Sequence, residues 1–418
     1  MDRIHINLYD LLTSLSNAQG LVSMKIASHH QQVAYLAYRL AEYLDLPSNE
    51  QYDIFLASLI HDIGALSIKE RFEIIESAPI HINEHAFRGA KLLEGFEPLK
   101  NAAKIIKFHH IPWDHGKGTK YMDEDVPLAS HIVNLADRLS TMITYETNIL
   151  TQVPHIIDKV QSLSGLAFKP EYVDALVSLS KEEYMWLDLV SQTPANFVSH
   201  NVKFDILKLD IDELIDLSYI FSRIIDFRSR FTSVHSAGVA TTAEKLARLM
   251  NFSPHECKMM LIAGYLHDLG KIAISDEVLE KPIKLTEYEF NEMRAHTYYT
   301  YRLLEPIEDL KVINAWASFH HEKLNGTGYP FKLSGDSLTL GSRIMAVADI
   351  FTAITEHRPY RKGMEPEAAK QVLQDMVANN SIDGKVVEIL INNYDEINEL
   401  REDAQQKAAI EYKKFLNV

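Results

Sequence analysis

The sequence predicts an all-α fold made of two tandem, homologous halves, and three observations carry that reading. Apolar residues recur at helical spacing, as in Val239, Leu246, Leu249 and Met250 and again in Val372, Leu373, Met376 and Val377. Glycine and proline gather in a few places, such as Pro112 to Gly118 and Gly326 to Gly335, which fits loops between helices better than the regular turns of a β protein. The segment His61-Asp62-Ile63-Gly64 also returns as His267-Asp268-Leu269-Gly270 at an offset of 206 residues.

The repeat extends well beyond that segment. His29 matches His235 at 206, His85 matches His296 and His109-His110 match His320-His321 at 211, and Asp137 matches Asp349 at 212. Small changes of offset that stay within loops are what duplication of a helical domain produces. The halves are placed at residues 1–190 and 217–418, joined by a linker region at 191–216 where periodicity weakens around Pro194, Asn196 and Asn201. The run Asp210, Asp212, Glu213 and Asp216 alternates with Ile211, Leu214 and Ile215 and reads as the solvated face of a helix. Glu399 to Phe415 reads as a charged amphipathic helix packed on the second half or on a partner.

With 418 residues, 46% of them hydrophobic, the chain can bury roughly two or three domain cores of ~150 residues each. A net charge of −16 argues against broad electrostatic binding of nucleic acid polymers or anionic membrane surfaces, so an anionic substrate needs local positive charge. The single cysteine, Cys257, leaves neither a disulfide framework nor a thiolate metal site, which fits a reducing cytoplasm. The N-terminus shows no signal-peptide pattern and no run reaches the ~18 apolar residues of a membrane span, so a cytoplasmic location is expected.

Histidines stand out against that background. Ten of the nineteen occupy positions shared by the two halves, and one metal-binding reason accounts for all ten where packing would need ten separate ones. Lone histidines such as His200, His255 and His357 read as ordinary structural residues. In the second half the candidate ligands are His235, His267, Asp268, His296, His320, His321 and Asp349. That is more than one ion needs. Seven imidazole and carboxylate donors suit two divalent ions ~3.5 to 4 Å apart, bridged by a carboxylate for which Asp268 is the choice. Such donors favour iron, manganese, zinc or similar ions such as nickel over soft-metal sites, and composition does not choose among them.

Two cationic features accompany the ligands. Lys271 lies one helical turn after Asp268, where it can orient a phosphate or stabilise a leaving oxygen, or simply pair with Asp268; the first half has Ala65 there. His357-Arg358-Pro359-Tyr360-Arg361-Lys362 gathers positive charge nine residues after Asp349, and Arg358 and Arg361 suit bidentate contact with a substrate phosphate.

These residues, together with Gly328-Tyr329-Pro330, resemble the HD-GYP family, a branch of the HD superfamily of metal-dependent phosphohydrolases, over about Arg228 to Asn398. The resemblance implies two HD-type helical domains, the second catalytic. It implies hydrolysis of a cyclic dinucleotide, cyclic di-GMP or 3′3′-cyclic GMP-AMP, to a linear dinucleotide by a hydroxide bridging two metals. Asp268 and Lys271 become catalytic residues, and Lys271, Tyr329, Arg358 and Arg361 substrate-binding ones. Two departures stand out: Phe231 replaces a glutamate that completes a third metal site in some members, and Asn325 replaces a common loop aspartate. The first half resembles a degenerate HD domain with a regulatory or dimerising role, in which a homodimer is one arrangement. Its His29, His61, Asp62, His85, His109, His110 and Asp137 form a second candidate metal site. The rival readings are an HD nucleotidase or triphosphohydrolase and a non-catalytic cyclic dinucleotide receptor.

Overall fold

A computed structural model describes residues 3–20, 24–77, 83–191, 193–201, 206–229, 232–357 and 362–416. The described residues are predominantly helical, with only two short two-stranded sheets among them. The chain forms two compact units, Leu12–Asp205 and Met1–Leu11 with Ile206–Asn417. Strand β1 (Ile4–Asn7) belongs to the latter and pairs antiparallel with β2 (Ile206–Leu209). The segment 191–216 therefore contains a helix, Pro194–Asn201, then β2 and the start of the next helix.

In the unit Leu12–Asp205 the framework is α1 (Met24–Tyr43), α2 (Ser48–Leu59), α3 (Asn83–Leu93), α4 (Lys100–Lys107) and α5 (Leu128–Thr141). Helix α1 packs on α2 and α5, α2 on α4, and α3 on α4. Their shared core holds Val33, Leu36, Leu40, Phe55, Leu59, Ile106, Ile132 and Leu135, all buried. At full burial each such side chain contributes roughly 1.5–3 kcal/mol to folding.

The other unit begins with α6 (Ile211–Asp226), capped by the Asp210 side chain, which accepts from the Asp212 and Glu213 amides. The acidic run thus starts a helix: Leu214 is buried and Asp212 is exposed, receiving the Lys258 ammonium. Five helices then repeat the first framework, namely α7 (His235–Leu249), α8 (Pro254–Leu266), α9 (Glu287–Leu304), α10 (Lys311–Ser318) and α11 (Leu340–Thr355). Helix α8 starts with a capping box, Ser253 and Glu256, with Pro254 at its first position. The terminal α12 (Tyr394–Leu416) packs on α7 within this same unit, burying Ile397, Arg401, Gln405, Ala408 and Phe415.

One close approach fixes the geometry in both units. A Cβ on Gly64 would stand 2.1 Å from the His85 carbonyl oxygen and 2.3 Å from the Gly89 nitrogen. A Cβ on Gly270 would meet the His296 oxygen at 2.0 Å and the Thr300 nitrogen at 2.5 Å. Glycine is needed because the turn after each His-Asp pair lies directly on the helix that carries the next ligand. Gly64→Ala and Gly270→Ala should each destabilise their unit by at least ~1–3 kcal/mol through overpacking. Gly95→Ala, which meets nothing within 4 Å, should stay within ~0.5 kcal/mol. Chemical denaturation midpoints of the three variants check this.

Candidate metal centre

In the second half the loops and helix ends of the repeated framework bring all seven candidate ligands together. His235 opens α7, His267 and Asp268 follow α8, His296 sits within α9, His320 and His321 follow α10, and Asp349 lies in α11. Two triads have donor atoms within 4.8 Å of one another: His235, His267 and Asp268, and His296, His320 and His321. The two carboxylates span them. Asp268 Oδ2 is 3.2 Å from His267 Nε2 while Oδ1 is 3.4 Å from His296 Nε2. Asp349 Oδ1 is 3.2 Å from His235 Nε2 and Oδ2 is 3.7 Å from His321 Nδ1.

The backbone sets the tautomers. The Nδ1–H groups of His267, His296 and His320 donate to the carbonyl oxygens of Gly264, Met293 and Ala317, at 2.7, 2.5 and 2.6 Å. Since a carbonyl can only accept, Nδ1 carries the proton and Nε2 keeps its lone pair for a metal. His235 is held differently: Nδ1 donates to Glu356 at 3.1 Å, and Glu356 also accepts from Gln405 of α12 at 3.1 Å. A carboxylate behind an imidazole raises its basicity as a ligand.

Electrostatics prepares the same protonation states. Burial, with neighbouring imidazoles, drives His296 down to about 3 against the pull of Asp268, and burial lowers His320 and His321 as well. Burial opposes ionisation of Asp268, yet His267, Lys271 and His296 hold its carboxyl well below the usual range. Asp349 is likewise lowered despite burial, by His235, His321 and His320. His235 is the exception: burial opposes a charge on it, but Glu356 and Asp349 outweigh burial and push it up to about 10, so it must give up a proton to bind an ion. Ionised carboxylates and neutral imidazoles are the forms a divalent ion requires, and His267 Nε2, buried without a hydrogen-bond partner, points to one. The donor set therefore fits imidazole- and carboxylate-bound metal.

Lys271, on the turn Leu269–Ala273, places its ammonium on Asp268 Oδ2. That turn is pinned by the buried Arg228, whose guanidinium donates to the carbonyls of Lys271, Ile272 and Ile274 and pairs with Asp276. The loop after His321 is built just as closely. Glu322 accepts from the Phe331 and Leu333 amides, and a Cβ on Gly328 would lie 2.4 Å from the Lys323 nitrogen. Asn325 bonds Thr327 and the Asn379 carbonyl, so it shapes the loop without charge. The result sets the Tyr329 ring 5.0 Å from that of His321, with the Arg294 guanidinium 4.8 Å from the Tyr329 ring centroid. Arg358 and Arg361, expected to bind phosphate, and Phe231 lie outside the described residues.

The first half gathers its seven candidates as well, in the groups Asp62, His85, His109 and His110, and His29, His61 and Asp137. It adds His30, which the halves do not share and which groups with His61 and Asp62. Other participants escaped the sequence reading: Glu356, Gln405, Arg294, and the buried Asp226, which accepts from the Ser236 hydroxyl at 2.9 Å and is pushed up to about 7 by burial. Arg294 had a signal, a cation two residues before a ligand. Glu356 and Gln405 had none, since they reach His235 from distant parts of the chain.

Models of the HD domain match residues 26–142 and 219–386. The chain belongs to the HD-domain family and carries one copy in each half. Among its relatives is 3′3′-cGAMP-specific phosphodiesterase 1 of Vibrio cholerae, 29% identical over 93% of this chain and 92% of that protein. Phosphodiesterase 3 of the same name and organism is 25% identical over 88% and 90%. The cyclic di-GMP phosphodiesterase response regulator RpfG of Xanthomonas campestris is 39% identical over 35% of this chain and 40% of its own. A crystal structure of a V. cholerae cyclic GMP-AMP phosphodiesterase, V-cGAP3, shares the fold, with a TM-score of 0.64 at 22% identity, covering 94% of this chain and 98% of that one.

Glu356→Gln should keep the fold and lower metal affinity of the second half roughly 10- to 100-fold, because it withdraws the negative partner of His235. Chelator competition on the purified protein measures this.

Proposed function

We propose that this protein is a metal-dependent phosphodiesterase of the HD-GYP type that hydrolyses a cyclic dinucleotide, 3′3′-cyclic GMP-AMP ahead of cyclic di-GMP, to its linear form. One observation carries the chemistry: the Lys271 ammonium is held on the carboxylate that spans both donor triads, at the centre that opens beneath Tyr329. The substrate preference rests on the relatives aligned over nearly the whole chain, both named for 3′3′-cGAMP. Residues 217–418 are read as the catalytic domain and 1–190 as regulatory or dimerising. The cytoplasm, where such second messengers act, also suits the single, buried free thiol Cys257.

His235, His267, Asp268, His296, His320, His321 and Asp349 would hold two divalent ions, iron or manganese first. Bound there, such ions supply an ionised water at neutral pH and neutralise phosphoryl oxygens. Asp268 and Asp349 keep both triads in register. Lys271 brings a fixed positive charge to the side of Asp268 where the phosphodiester must lie, stabilising charge as the P–O3′ bond breaks. Tyr329, backed by Arg294, offers an aromatic wall for a base next to His321. Arg358 and Arg361 are assigned to the second phosphate.

Asp268→Ala should lose bound metal and activity together. Lys271→Ala should retain metal while kcat falls roughly 100- to 1000-fold, the effect of removing one well-placed charge-stabilising donor. Full activity in either variant overturns these roles. Product analysis with 3′3′-cyclic GMP-AMP, cyclic di-GMP and nucleoside triphosphates, under manganese and under iron, tests the reaction: linear dinucleotide is expected. Hydrolysis of triphosphates alone would make it a nucleotidase, and binding without product a receptor.

A further inference from the structure

The first half holds a buried carboxylate with no hydrogen-bond partner among the described residues. Asp62 is 0% exposed and neither of its oxygens has a hydrogen-bond partner. Around it stand five imidazoles: His85 Nε2 at 3.1 Å and His109 Nε2 at 3.9 Å from Oδ1, and His61, His30 and His29 at 3.4, 3.6 and 3.8 Å from Oδ2. Asp137 reaches His29 and His61 through Oδ1 and His110 through Oδ2. Both carboxylates thus span the cluster as their counterparts do in the second half. The tautomers also agree: His61 and His109 donate Nδ1–H to the carbonyls of Ser58 and Ile106, at 2.8 and 2.7 Å, turning Nε2 inward.

Differences in ligation and in access separate this cluster from the one in the second half. His30 is 1% exposed with neither ring nitrogen hydrogen-bonded, and it faces the oxygen of Asp62 that corresponds to the one carrying the Lys271 ammonium on Asp268. The second half has Ser236 in its place, bonded away to Asp226. Where Lys271 would stand, the first half has the buried Ala65. A protonated lysine repels a metal, whereas a neutral imidazole binds one. The second difference is access: the His321 side chain is 30% exposed, while that of its counterpart His110 is 1%.

We propose that the first half contains a metal centre of its own, coordinatively closed by a sixth imidazole, His30, and therefore structural. Closed ligand shells without an open position are the mark of structural sites, as a free position is of catalytic ones. His29, His30, His61, Asp62, His85, His109, His110 and Asp137 would hold divalent ions with no room for a phosphodiester and no lysine to serve it. Metal then ties α1, α2, α3, α4 and α5 together and keeps the half folded.

Full-length protein purified with manganese or iron tests this through metal content and anomalous scattering at the metal edge. Wild type should carry about four ions per chain, two per half, with anomalous peaks among the eight first-half residues. Asp62→Asn should lose about half the metal and keep its hydrolytic activity within a few-fold, since the second-half ligands are untouched. His30→Ser, which installs the second-half residue, should release first-half metal to a chelator at least ~10-fold faster. No anomalous density among the eight residues of wild type overturns the centre, whether or not Asp62→Asn folds. Unchanged release in His30→Ser overturns its closure.

Discussion

Each half is organised around an ionised carboxylate sealed from water. Moving such a group into the interior costs several kcal/mol even after relaxation, and only a cation in close contact offsets that. Asp268 has Lys271 and a ring of imidazoles; Asp62 has imidazoles alone within ion-pair distance among the described residues. The surrounding architecture keeps those donors in place. Backbone carbonyls at the ends of α2, α4, α8 and α10 take the Nδ1 protons, so helix termini, which always have unpaired carbonyls, set the ligand tautomers.

That arrangement explains why the fold survived duplication with little sequence in common. Positions that agree between halves include those where backbone meets ligand: the histidines, the two aspartates, and glycines 64 and 270, where a side chain would drive the His-Asp turn off the next helix. Elsewhere the core needs only apolar volume at helical spacing, and many residues supply that. A core built around a fixed set of donors thus tolerates drift in packing and punishes drift in those donors.

The all-α class, the two halves and the residues that gather into each His/Asp cluster were legible because each leaves a periodic or repeated trace in the chain. Glu356 and Gln405 left none: they converge on His235 from 121 and 170 residues away through α11 and α12 packing on α7. The pairing of β1 with β2 was equally silent, since four residues such as Ile4–Asn7 are too few to display a period and their partner lies some 200 residues on. His30 was hidden for another reason. Comparing halves rewards agreement, and His30 matters because Ser236 differs from it. Lys271 and the Gly328-Tyr329-Pro330 loop stood out as differences only because each has a chemical meaning of its own.

The differences converge on the same faces of the same carboxylates. Around Asp268 the second half has a serine turned outward where the first has an imidazole, and a lysine where it has an alanine, so a candidate ligand gives way to a held positive charge. Behind His235 it has a carboxylate where the first half leaves His29 on the hydroxyl of Ser140, which itself donates to the Asp137 carbonyl. A carboxylate makes the imidazole a stronger donor than a hydroxyl does, which compensates an opened shell for the ligand it gave up. Beyond His321 a loop lifted by Gly328 and tied down by Glu322 leaves the ring reachable, while His110 is covered. On the proposed reading, a centre open to substrate differs from a closed one in three coordinated ways: fewer ligands, a stronger donor among those that remain, and a loop that guards the vacated side without filling it.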